Sequence, residues 1–124
     1  MKIVQCAHCG NQAFILHDGG VPMVCCGEEM QTLEAGTTDA ALEKHVPAVK
    51  VEGNTMHVQV GSVAHPMTPE HYIMWILVEQ GAKVQFVKLT PTDEPKATFI
   101  VEPGAYTVYE FCNLHGLWKV EGTI

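Results

Sequence analysis

Four cysteines occupy the N-terminal stretch, as Cys6-Ala7-His8-Cys9 and Cys25-Cys26, in a segment too poor in apolar residues to fold around a core of its own. Residues 1–31 carry only short apolar runs, Ala13–Leu16 and Val21–Val24, on either side of the turn signal Asp18-Gly19-Gly20. That pattern predicts a small hairpin with those two runs as its arms. A structural metal is the usual remedy for so small a module. Cys6 and Cys9 stand on one tight turn where both sulfurs can reach one ion, and Cys25 with Cys26 would close a four-sulfur site. Four thiolates suit iron or zinc in tetrahedral geometry. Adjacent cysteines pose a problem, because successive residues of an extended chain point to opposite sides. The backbone must therefore distort at Cys25-Cys26, and a strained tetrahedron is expected.

The fifth cysteine belongs to a different group. Cys112 and His115 bracket the turn Cys112-Asn113-Leu114-His115-Gly116, His65 and His71 bracket a loop stiffened by Pro66 and Pro69, and His45 stands in Glu43-Lys44-His45-Val46-Pro47. Taken singly, each would read as surface or core filling. Together, four imidazoles and one thiolate can surround a ferrous ion and leave one position open for a small ligand. A thiolate donor pushes electron density through the metal toward that position. His57 alternates with Gln59 on the polar side of Met56–Val60 and is read as exposed. His8 and His17 lack partners of this kind and are read as non-ligands. Trp75 and Trp118 are read as core residues, with Trp118, just after the Cys112–His115 loop, also placed to pack over a donor but given no catalytic role, and Tyr72 and Met67 as packing neighbours of the donors.

From Val46 onward the chain alternates short apolar stretches with turns. The pattern predicts strands at Val46–Val51, Thr55–Val60, His71–Val78, Lys83–Leu89, Ala97–Val101, Tyr106–Phe111 and Leu117–Val120. About seven short strands with turn punctuation indicate an antiparallel β-sandwich. Strand ends, where loops converge, are the natural place for the five donors. Residues 32–44 read as a connector, with Gly36-Thr37-Thr38-Asp39 capping a helical turn through Ala40-Ala41-Leu42-Glu43.

The chain of 124 residues has a net charge of −7, seven lysines and no arginine, which argues against a nucleic-acid partner. A local field can still draw an anionic substrate. The N-terminus lacks the apolar run and cleavage pattern of a secretory signal. No stretch approaches the roughly 20 apolar residues of a membrane span. A soluble, cytoplasmic protein without membrane contact is expected, in a reducing compartment where cysteines serve as metal ligands or reactive thiols rather than disulfides.

Six motifs carry a resemblance that covers nearly the whole chain: Cys6-x-x-Cys9-Gly10-Asn11, Val24-Cys25-Cys26-Gly27, Glu43-Lys44-His45-Val46-Pro47, Gly61-Ser62-Val63-Ala64-His65-Pro66-Met67, His71-Tyr72-Ile73, and Cys112-Asn113-Leu114-His115-Gly116-Leu117-Trp118. With them the sequence resembles desulfoferrodoxin, the two-iron type of superoxide reductase. The resemblance implies a mainly β protein with a desulforedoxin-like domain over residues 1–36. That domain would bind one iron through Cys6, Cys9, Cys25 and Cys26. An immunoglobulin-like β-sandwich over residues 37–124 would bind a second iron, with His45, His65, His71 and His115 equatorial and Cys112 axial. It implies reduction of superoxide to hydrogen peroxide, a homodimer, and a rubredoxin-type electron donor. Lys44, beside His45, is the candidate local positive charge that would attract superoxide and organise a proton-donating water, the alternative being an ordinary solvated lysine. Glu43 corresponds to a loop carboxylate that closes onto the ferric centre after peroxide leaves. Two other readings stay open on the residues alone. One is a superoxide dismutase using the same open centre. The other is a rubredoxin-like electron carrier, which would leave the four histidines and Cys112 without a task.

Overall fold

The computed structural model describes residues 1–38 and 44–124. The expected helical turn through Ala40–Glu43, and with it Glu43 itself, lies outside the described residues. The chain divides into two compact units, Met1–Glu34 and Ala35–Ile124. Among the described residues every named element is a β-strand.

In the first unit, β1 (Lys2–Gln5) pairs antiparallel with β2 (Gln12–Ile15) on one side and with β5 (Gln31–Thr32) on the other. The short strands β3 (Val24–Cys25) and β4 (Glu28–Glu29) form a separate two-stranded ribbon. The predicted hairpin between Ala13–Leu16 and Val21–Val24 is therefore not formed. The Cys6–Asn11 turn explains why. Cys6 N–H donates to Asn11 O (2.9 Å) and Gly10 N–H donates to Cys6 O (3.1 Å), so the turn returns the chain directly beside β1. This nearer partner, with Ile3 and Val4 both buried, captures β2. Val21 and Val24 are left exposed, and Met30 N–H donates to Met23 O instead.

The second unit is a sandwich of two antiparallel sheets. One has the order β10 (Lys96–Ile100), β7 (Thr55–Val60), β6 (Pro47–Glu52). The other has the order β12 (Gly116–Thr123), β11 (Ala105–Cys112), β8 (Ile73–Gln80), β9 (Lys83–Lys88). Period-two alternation sends one row of each strand inward. Met56, Val58 and Val60 of β7, with Phe99 of the neighbouring β10, meet Ile76 and Val78 of β8 and Val108 of β11 in one core. Each fully buried side chain of this kind contributes about 1.5–3 kcal/mol. The seven expected strands are present in the expected order, Thr55–Val60 with its expected bounds and the others with ends shifted by at most three residues.

One irregularity bears on the site. Phe111 pairs with Trp75, but its neighbour Cys112 pairs with Ile73, so β8 carries an extra residue at this point. The bulge turns Ile73 into the interior core, beside the wholly buried Cys112. Bulges are a common device for re-aiming side chains next to functional sites.

Candidate metal centres

The strand order brings five chain segments to one end of the sandwich. His45 precedes β6, His65 follows β7, His71 precedes β8, Cys112 ends β11, and His115 sits in the turn into β12. The pairings Pro47↔Val60, Cys112↔Ile73 and Cys112↔Gly116 place these strand ends side by side. One donor atom from each of His45, His65, His71, Cys112 and His115 lies within 4.8 Å of all the others. A single ion with bonds of 2.1–2.3 Å holds opposite donors about 4.2–4.6 Å apart, so the set fits one ion with only small contraction.

The imidazoles form a closed ring. Centroid distances run 4.9 Å from His45 to His65, 4.7 Å from His65 to His71, 5.1 Å from His71 to His115 and 4.9 Å from His115 back to His45. Neighbouring rings are tilted or edge-on, between 57° and 83°. His45, His65 and Cys112 are buried, His71 is half-buried and His115 is exposed, so the cluster opens to solvent on one side. His65 Nδ1 lies 2.8 Å from the Pro66 carbonyl oxygen. A carbonyl can only accept, so Nδ1 carries the proton and Nε2 keeps the lone pair for a metal. His115 turns its Nδ1 toward Cys112 Sγ, at 3.8 Å.

Two residues outside the donor set hold it together, and the sequence reading named only the second of them. Asn113 joins two donor loops. Its Nδ2 donates to Glu70 O (3.0 Å), its Oδ1 accepts from Tyr72 N–H (3.0 Å), and its own N–H donates to Tyr72 O (3.2 Å). The signal available in the sequence was an asparagine between two donors, a residue type whose side chain readily bonds local backbone. Trp118, expected in the core or over a donor, is half-buried and stacks on His45 at 4.7 Å and 12°, while its Nε1–H donates to His115 O (3.1 Å). Gly36 also packs against Trp118, so closely that a Cβ there would lie 2.7 Å from the ring. Met67 is a packing neighbour, as expected, and its sulfur also accepts from Ile73 N–H (3.4 Å).

The second group is equally compact. Cys6, Cys9, Cys25 and Cys26 bring their sulfurs within 4.8 Å of one another. Cys9 and Cys25 are 3.6 Å apart and Cys25 and Cys26 are 4.0 Å apart. Sulfurs at the corners of a tetrahedron around an ion at 2.3 Å stand roughly 3.8 Å apart. The anticipated distortion at the adjacent pair is visible, since Cys26 has φ 52°, a left-handed conformation unusual for a residue with a Cβ. That turn brings both sulfurs to one side. N–H groups of Cys9 and His8 point at Cys6 Sγ and hold its thiol down at about 6. Hydrogen bonding with the sulfurs of Cys6, Cys9 and Cys25 pushes Cys26 up to about 12, and Cys9 and Cys6 raise Cys25 as well.

His8, His17 and His57 lie outside both groups. His8 Nε2 meets Glu28 at 3.0 Å, and exposed His57 lies 3.4 Å from Thr98 Oγ1. Lys44 is half-buried beside His45. Among the described residues no helix is long and apolar enough to cross a membrane.

The fold and its two donor sets define a class, a small four-thiolate module joined to a β-sandwich that carries a four-histidine, one-cysteine centre. Residues 37–121 match the desulfoferrodoxin family and residues 1–33 match the desulfoferrodoxin N-terminal domain. The chain is 48% identical over 122 residues to a desulfoferrodoxin of Nitratidesulfovibrio vulgaris, covering 97% of this chain and 95% of that one. It is 46% identical over 119 residues to a desulfoferrodoxin homolog of Archaeoglobus fulgidus, covering 96% and 95%. The crystal structure of the superoxide reductase from Treponema pallidum superposes with a TM-score of 0.79 at 34% identity, covering 96% of both chains. The chain belongs to the desulfoferrodoxin family.

Proposed function

We propose that this protein is a superoxide reductase, combining superoxide with one electron and two protons to give hydrogen peroxide. The observation that carries the reading is the closed ring of four imidazoles with a buried thiolate, open to solvent on one side. His45, His65, His71, His115 and Cys112 would hold a ferrous ion, which supplies the electron and one open position for a small anion. The Cys112 sulfur, wholly buried, would as a thiolate donor raise electron density on that ion. Lys44 supplies a local positive charge that draws superoxide in against the net charge of −7 and orients a proton-donating water. Glu43, outside the described residues, would offer a carboxylate donor to the ferric form of that ion. Residues 1–36 form a desulforedoxin-like domain whose four cysteines hold an auxiliary iron. Residues 37–124 form the catalytic domain. The chain works as a cytoplasmic homodimer and takes electrons from a rubredoxin-type donor.

The test is rapid mixing of ferrous protein with superoxide. The ferrous centre is oxidised in a step first order in each reactant. A ferrous spectrum that outlasts the superoxide refutes the reading. In Lys44→Ala the same step slows and loses part of its dependence on ionic strength.

A further inference from the structure

We propose that Gly61 is the positioning residue for Lys44 and, through it, for the His45 donor. Gly61 follows β7 with φ +59°, and the space where its Cβ would stand is filled by the Lys44 backbone. A Cβ at residue 61 would lie 2.4 Å from Lys44 O, 2.5 Å from Lys44 Cβ and 2.7 Å from Lys44 C. Ordinary contact begins at 3.4 Å, so the Lys44 carbonyl would have to retreat by about 1 Å, a displacement that can cost on the order of 100-fold when it reaches reacting groups. Two of the three atoms are main chain and cannot rotate away as the tip of a flexible side chain would.

The retreat falls on Lys44 because Gly61 is held on its own side. Gln59 Nε2 donates to Gly61 O (3.1 Å), His65 N–H donates to Val60 O (2.9 Å), and Val60 pairs with Pro47 across the sheet. Gly61 thus fixes two donor segments at once, the Lys44-His45 segment that rests on it and the turn to His65 that starts from it. His45 is 3% exposed and stacked on Trp118, so it has little room to follow a displaced neighbour and keep its donor atom in the ring.

Gly53 provides the control. It stands at the other end of β7 with φ +61°, and nothing lies within 4 Å of its missing Cβ. Gly53→Ala therefore carries the same left-handed strain without the collision. Metal release from the His/Cys centre, read with cobalt(II) and excess chelator, is expected to be roughly tenfold or more faster in Gly61→Ala than in Gly53→Ala. Equal release from the two variants overturns the proposal. The kinetic arm rests on the role proposed for Lys44. Gly61→Ala should slow the reaction with superoxide by roughly tenfold and flatten its salt dependence, as Lys44→Ala does. If Lys44→Ala slows the reaction and Gly61→Ala does not, the positioning of Lys44 is refuted. If Lys44→Ala has no effect, the role of Lys44 fails, and metal release alone then decides the positioning of His45. One measurement needs no variant. In the full-length zinc-loaded protein a nuclear Overhauser contact should link Gly61 Hα to Lys44 Hβ, and its absence overturns the proposal even if Gly61→Ala fails to fold.

Discussion

Asn113→Ala should loosen a metal held by the His/Cys centre without unfolding the sandwich. The substitution removes two hydrogen bonds between donor loops, Nδ2 to Glu70 O and Tyr72 N–H to Oδ1, each 3.0 Å. At about 0.5–1.5 kcal/mol apiece their loss comes to about 1–3 kcal/mol. Expressed wholly as metal affinity, that is about 5- to 150-fold. The backbone bond from Asn113 N–H to Tyr72 O at 3.2 Å survives, so the loops stay in contact. The expected loss therefore falls near the middle, about tenfold to thirtyfold, within the range typical of groups that orient metal ligands. The assay is chelator competition for cobalt(II), with the four-cysteine site of the same molecule as internal reference. Affinity within twofold of the native protein, with an unchanged sulfur-to-metal absorption band, would refute the idea that Asn113 holds His71 against Cys112 and His115.

Three further outcomes follow from the same geometry. Cys112→Ser should abolish the sulfur-to-iron charge-transfer band of the sandwich centre, and an unchanged spectrum removes Cys112 from the donor set. Trp118→Phe keeps a ring against His45 but loses the N–H bond to His115 O, so it should cost about 1 kcal/mol, read as a drop of a few degrees in melting temperature. Trp118→Ala should cost distinctly more, and equal melting of the two variants would show that the stack on His45 contributes nothing. At pH 7 the raised Cys25 and Cys26 thiols hold their protons while Cys6 is already ionised. Metal must displace those protons, so uptake by the metal-free four-cysteine site should release at least two protons per ion and tighten as pH rises. Uptake independent of pH between 6 and 8 contradicts this.

Much of the sandwich was legible because its strands obey simple rules. Met56, Val58 and Val60 alternate with His57 and Gln59, and only one side of such a strand can be buried. The donors were legible for a chemical reason, since histidines and a cysteine at successive strand ends meet once the strands pair. The distortion at Cys25-Cys26 followed from backbone geometry before any coordinates, and φ 52° at Cys26 bears it out. The strand partner in the first unit was misread. The turn at Asp18-Gly19-Gly20 is real, with Gly20 N–H donating to Asp18 Oδ1 at 2.8 Å, but a turn does not say which strand lies beside which. The supports of the site were hidden for a similar reason. Asn113, Gly36 and Gly61 act through contacts set by tertiary packing, and a glycine that makes room for a backbone looks in sequence like any turn glycine. Glu110, fully buried on the inward row of β11 with Val108 and Cys112, broke the apolar pattern in plain view.

The most direct test of the central claim is a count of products. A known dose of superoxide is added to the ferrous protein in the absence of catalase, and hydrogen peroxide and oxygen are measured against a protein-free control. One peroxide per superoxide with no oxygen is the predicted result. Half as much peroxide, with a matching amount of oxygen, would mean dismutation and would contradict reduction at the His/Cys centre.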